Sequence, residues 1–194
     1  MNFQTKPLVS FQQEKNMEGI LIGNRIPRDY FETKGTGESD ITIHAGSYHL
    51  ALKDAGIEMS NIMTYSSILP GIANRIEKPE NIIHGNVMES IMSVCNAEKG
   101  QRATAGIIYG WLYDKISGEK YGGLVCEHNG NYDLVELDYR LNASLQELYQ
   151  DFSGKYLLDG IHTISESFIP RKEYGTALVA LCFVNYLYPV IQMQ

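Results

Sequence analysis

Two adjacent serines, Ser66 and Ser67, stand inside an otherwise apolar run, Asn61-Ile62-Met63-Thr64-Tyr65-Ser66-Ser67-Ile68-Leu69-Pro70. Strands built from Ile, Met and Tyr bury themselves. A buried hydroxyl costs free energy unless it is bonded or used, so the pair is either satisfied locally at a strand end or set there for chemistry. Glu127 ends a second apolar run, Gly122-Gly123-Leu124-Val125-Cys126. A carboxylate among apolar neighbours suits general acid–base work, although a strand-end Glu can equally be a solvated one. Asn61 opens the serine segment, where it either serves the serines or closes the turn before them. His44 and His49 are five residues apart, off the i,i+4 spacing of helical zinc pairs, and no third ligand accompanies them. No metal is expected. Gly35-Thr36-Gly37 lacks the Lys and the strand–loop–helix setting of a phosphate loop.

The elements that must position these groups are read from periodicity. Ala45, Tyr48, Leu52 and Ala55 recur at helical spacing, and Gly56 follows as a C-cap. Leu141, Leu145, Leu148, Tyr149 and Phe152 mark a second helix, stopped at Ser153-Gly154. Strands are expected over Gly19–Gly23, the whole of Asn61–Leu69, Ile82–Cys95, Ala103–Tyr113, Gly122–His128, His162–Phe168 and Thr176–Tyr188. Residues 24–40, rich in Gly, Pro and charge, read as a loop, and His128–Asn131 as a turn. An arm over residues 1–16 is expected to be flexible, with one domain over residues 17–194. Strands with one early and one late helix make an α+β sandwich with mainly antiparallel sheets. At that spacing, Asn61 and Ser67 would lie about 20 Å apart along an extended strand, so Asn61 reaches Ser67 only if the chain bends or a neighbouring subunit supplies it.

Composition narrows the class. The chain has 194 residues, 44% hydrophobic and 20% charged, with a net charge of -7. An acidic balance argues against nucleic acid or anionic membrane as partner. The three cysteines, Cys95, Cys126 and Cys182, sit among apolar neighbours and read as small core residues of a reducing compartment. No run of about 18 apolar residues suggests a membrane span, and a cytoplasmic location is expected.

The blocks Gly35-Thr36-Gly37-Glu38-Ser39, the helix HAGSYHLALKDAGIEMSN, YSSILP and GGLVCEHNG follow in order and spacing. From about Gly35 to the C-terminus this pattern resembles the pyruvoyl-dependent arginine decarboxylases. The resemblance implies a four-layer αββα sandwich assembled as trimers, often two stacked. It implies self-cleavage between Ser66 and Ser67 into residues 1–66 and 67–194, with Ser67 becoming a covalent pyruvoyl group. That group acts as the electron sink that pyridoxal phosphate provides elsewhere, and no external cofactor is needed. Ser67 must supply the hydroxyl and Ser66 only its carbonyl. Asn61 matches the asparagine used in self-processing, and Glu127 falls in the block that holds the family's proton donor. At His49 the sequence departs from the pattern, because arginine-specific relatives carry an acid there to face the guanidinium. Either another acid, such as Asp54 or Glu58, takes that role, or the substrate is another amino acid. An unprocessed, non-catalytic paralogue is the alternative of a different class. A small hydrolase using Ser67 or His49 lacks the strand–elbow–helix motif it would need.

Overall fold

The central strand Tyr174–Phe183 (β10 of eleven) is an almost unbroken apolar run, and every residue after Tyr174 is buried. Such a strand needs cover on both faces. In the computed structural model, which describes residues 22–190, that cover is a second sheet on one side and a helix on the other. In chain order the other strands are β1 (Ile26–Pro27), β2 (Asp29–Ser39), β3 (Asn61–Thr64), β4 (Ile68–Pro70), β5 (Asn74–Arg75), β6 (Val87–Glu98), β7 (Ala103–Asp114), β8 (Lys120–Gly130), β9 (Tyr156–Phe168) and β11 (Tyr186–Leu187). A mixed five-stranded sheet runs β3-β6-β10-β2-β5, an antiparallel four-stranded sheet runs β4-β8-β7-β9, and β1 and β11 form a short ribbon.

The sheets face each other through Tyr30, Ile91, Cys95, Val179 and Leu181 on one side and Leu69, Ala105, Ile107, Tyr109 and Val125 on the other. The alternate residues of β10, Leu178, Ala180 and Cys182, turn outward against Ala51, Leu52 and Ala55 of helix α1 (His49–Ala55). Helix α2 (Leu134–Gln150) lays Leu137, Leu141 and Leu145 on Ile108 and Cys126 of the four-stranded sheet. The i, i+4, i+8 spacing makes one apolar stripe. Asp133 caps this helix by accepting from the Glu136 N–H at 2.9 Å. The result is the expected α+β sandwich in four layers, helix, sheet, sheet, helix.

Several boundaries differ from the sequence expectation for identifiable reasons. The stretch read as a loop over residues 24–40 contains β2, eleven residues paired with β10. Gly35 and Gly37 are there because α1 lies almost on the backbone: a Cβ at either would collide with the Ala51 or Ser47 carbonyl. Ahead of α1 the chain makes one wider π-helical turn, Ile43–Tyr48, and Gly56 at φ +70 closes the helix. The strand expected over Ile82–Cys95 is β6, displaced to Val87–Glu98. The final strand ends at Phe183, with β11 separate. Asn129-Gly130 belongs to β8 rather than a turn, and α2 starts at Leu134, seven residues before Leu141. The expected arm over residues 1–16, and residues 19–21 of the expected first strand, lie outside the described residues.

The most consequential difference concerns the serine segment. It is two strands, not one: β3 adds in parallel to the edge of the five-stranded sheet, and β4 adds antiparallel to the edge of the four-stranded sheet. The chain crosses from one sheet to the other at Tyr65–Ser67.

Candidate active site

That crossing is held at both ends. The Tyr65 N–H donates to the Ser90 carbonyl at 2.8 Å, and the Tyr65 ring packs 5.6 Å from that of Phe183. On the far side Leu69 is fully buried between the sheets. Between these anchors Ser66 is exposed and Ser67 half-buried. The Ile68 N–H donates to the Ser66 carbonyl oxygen at 2.9 Å, an i to i+2 bond that centres a three-residue turn on Ser67.

Strand β4 covers β8 only along Gly122–Leu124. Past Leu124 no strand among the described residues pairs with this edge of β8, and Glu127 comes within reach of the turn. The Ser67 hydroxyl donates to Glu127 Oε1 at 2.5 Å, joining residues 60 positions apart. A hydroxyl bound to a carboxylate at this separation is a short, charge-assisted bond. The pair opens onto a cleft of about 620 Å³ between the β8 edge and the end of α2, where Ser144, Glu147, Leu148 and Asp151 face Glu127 and His128. His128 Nε2 lies 2.8 Å from Ser144 Oγ. Among the described residues the lining carries three carboxylates and no Lys or Arg. Cys126 also touches the cleft, but burial, with the neighbouring Glu127 charge adding to it, pushes its thiol up to about 11. Little thiolate exists at neutral pH, so Cys126 is a poor nucleophile.

Other residues singled out in the sequence lie elsewhere. The Asn61 side chain donates to the Gly85 carbonyl at 3.0 Å, closing the turn beside β6. His49 is exposed at the first turn of α1, on the outer layer over the five-stranded sheet. Asp54 accepts from the Thr36 N–H at 2.9 Å beside a separate cleft of about 570 Å³, and Glu58 lines a third one with Lys78 and Glu80. Glu89, a buried acid, is gripped by both Nε and Nη2 of Arg25. The cysteines are buried and free, and burial pushes Cys182 up to about 12.

A family profile described as pyruvoyl-dependent arginine decarboxylase matches residues 29–187. The chain belongs to this family. Pyruvoyl-dependent arginine decarboxylase AaxB of Chlamydia trachomatis serovar L2 is 30% identical over 186 residues, covering 84% of this chain and 94% of that protein. AaxB of Chlamydia abortus is 28% identical over 185 residues with the same coverage. The pyruvoyl-dependent arginine decarboxylase of Methanococcoides burtonii is 37% identical over 86 residues, and that match spans 47% of its length. Members of the family are decarboxylases with a covalently bound pyruvoyl group as cofactor. The residues here fit such a group. Ser67 has a free hydroxyl on a carboxylate, sits in a turn whose preceding carbonyl already accepts a hydrogen bond, and faces an open cleft.

Sequence reasoning missed two features of this site. One is the Ile68 amide, which leaves no compositional trace. The other is the α2 end, where Glu147 and Asp151 were legible only as an i, i+4 acidic pair.

Proposed function

We propose that this chain cleaves itself between Ser66 and Ser67 and then decarboxylates arginine to agmatine and CO2. The observation that carries the reading is the Ser67 hydroxyl on Glu127 at the break between the two sheets. Glu127 accepts the Ser67 proton as Oγ attacks the Ser66 carbonyl carbon. The Oγ–C bond forms, the Ser66–Ser67 C–N bond breaks, and the proton passes to the freed amine. The carbonyl oxygen gains charge during attack, and the Ile68 N–H is a fixed donor to it. β-Elimination then breaks the Cβ–Oγ bond of residue 67, releases the Ser66 carboxylate and leaves dehydroalanine. Tautomerisation and hydrolysis expel ammonia and leave a ketone.

Once formed, the pyruvoyl group supplies the electron sink for decarboxylation. Glu127, already in the cleft, holds the proton that returns to the substrate α-carbon. Asn61 supports self-processing in this reading by fixing the Gly85 turn against which β3 enters the crossing. The processed protomers assemble as a homo-oligomer, trimer or hexamer. Met63 and Ile68, both more than half exposed beside the crossing, support a partner surface there, and light scattering tests it. His49, at the surface of α1, would read substrate only from a neighbouring protomer.

Intact mass of wild type and of Ser67→Ala tests the proposal. The reading expects two chains from wild type and one from the variant. One uncut wild-type chain after prolonged incubation removes the pyruvoyl mechanism.

A further inference from the structure

We infer that Arg25 and Glu89 are positioning residues for self-cleavage, their ion pair holding the ledge from which the Ser66–Ser67 crossing hangs. The inference rests on the proposed function, since it concerns the first step of that function. On β6, Ile91 and Cys95 face the layer between the sheets, while Met88 and Met92 face α1. Glu89 shares the parity of Ile91, so its side chain enters the inter-sheet layer. It is 2% exposed, and among the described residues no other charged residue is so deeply buried. Arg25 answers it with two donors, Nε to Oε2 at 3.2 Å and Nη2 to Oε1. Such a fork fixes direction as well as charge. Burying an ion pair is a poor way to gain stability, since well-packed apolar residues serve as well or better. The pair therefore needs another reason to stand here.

Its place supplies one. Glu89 lies opposite Met63 in the β3–β6 ladder, and the next residue, Ser90, gives the carbonyl that accepts the Tyr65 N–H at 2.8 Å. The ledge under Tyr65, just before the scissile peptide, is thus the stretch of β6 that Arg25 grips. Arg25 also reaches the far side. It directly precedes β1, which pairs with β11 and lies against β4, the strand that begins just past Ser67. Its guanidinium sits 5.5 Å from the centre of the Tyr186 ring of β11. One short strap therefore touches β6 before the crossing and β4 after it. The acyl shift needs Ser67 Oγ against the Ser66 carbonyl carbon, and a displacement of about 1 Å can cost roughly 100-fold in such a step. The strap holds the two sheet edges at a fixed separation. Arg25 stands ahead of residues 29–187, so this half of the pair lies outside the stretch that the family profile matches.

The test uses the full chain carrying Arg25→Lys, or Arg25→Met together with Glu89→Leu. The double variant removes the pair without stranding a buried charge, so it should fold and melt near the wild-type temperature. Its cleavage, followed by gel after cell-free synthesis, should nevertheless slow about 10- to 100-fold. Arg25→Lys, which keeps the charge but not the fork, should slow less. Once cleaved, the double variant should decarboxylate arginine with kcat little changed, because the crossing no longer exists. In the uncut Ser67→Ala background, the Tyr65 and Ile68 amides should lose hydrogen-exchange protection when the pair is removed. A merely structural role would lower the melting temperature and move cleavage and kcat together, and kcat falling as far as cleavage overturns the inference. So does a wild-type cleavage rate in the folded double variant, or unchanged exchange at Tyr65 and Ile68, and these outcomes leave the proposed function standing. Should the double variant melt early, cleavage is compared at a temperature where circular dichroism shows both chains native. Slowing there supports the inference, and an equal rate overturns it. A wild-type chain that never cleaves overturns the proposed function and this inference with it.

Discussion

Glu127→Gln is the most revealing single change, because the structure gives Glu127 a task before any cofactor exists. Its Oε1 accepts the Ser67 hydroxyl at 2.5 Å. Glutamine keeps the shape and offers an oxygen or an amide, but takes no proton at neutral pH. A hydrogen bond to a charged group contributes about 1.5–3 kcal/mol, or roughly 10- to 100-fold in rate if it acts in the transition state. General base catalysis contributes about 10²- to 10⁴-fold. The two describe one interaction and do not add, so cleavage should slow by about 100-fold. Glu127 is half-buried at an open strand edge, so the neutral substitution should leave the fold intact. The assay follows the uncut chain after cell-free synthesis, with timed quenching and gel densitometry fitted to a first-order rate. Material that has finally cleaved is then assayed for decarboxylation, where a further loss of about 100-fold is expected from the missing acid. Cleavage at the wild-type rate would refute the base role. Slow cleavage followed by normal turnover would confine Glu127 to processing.

Four further outcomes are expected. Ser67→Ala should abolish cleavage, while Ser66→Ala, which keeps the carbonyl, should only slow it; gel band ratios distinguish the two. Gly37→Ala should destabilise the fold by about 1–3 kcal/mol, the usual cost of overpacking, because its Cβ meets the α1 backbone at Ser47 and Ala51; the urea midpoint measures it. Leu141→Ala, which empties a fully buried site beneath α2, should cost about 2–5 kcal/mol and raise the arginine KM by loosening the cleft wall. Cys126 should resist alkylation at pH 8 and react only as pH approaches about 11, since burial keeps the thiol protonated below that value. Peptide mapping after iodoacetamide treatment across that range checks the direction.

The parts of this molecule that local pattern controls were legible in the sequence. The Leu141 and Leu145 stripe announced α2, Gly56 announced the end of α1, and the serine pair stood out because two hydroxyls sit in an apolar run. What could not be read depends on distant partners. Gly35 and Gly37 look like loop residues, and only the approach of α1 makes them the right choice for a strand. The run from Asn61 to Leu69 has uniform β character, so nothing local signals that its two ends join different sheets. That split removes the extended geometry that set Asn61 about 20 Å from Ser67, although it leaves the Asn61 amide on Gly85. The Ser67–Glu127 contact exists because β4 pairs with β8 at Gly122–Leu124 and stops there. Asn61, His49 and Glu127 were marked by family pattern, whereas the Ile68 amide and the α2 acids emerge only from the folded geometry.

The measurement that bears most directly on this account is the intact mass of purified wild-type protein, with tandem sequencing of the larger product. The account expects two chains, one ending in Ser66 and one running from position 67 to Gln194. The second should be lighter by one ammonia than a chain starting with free serine, and resistant to Edman degradation. A single chain with an unbroken Ser66–Ser67 peptide, or a second chain that begins with an ordinary serine amine, would contradict it.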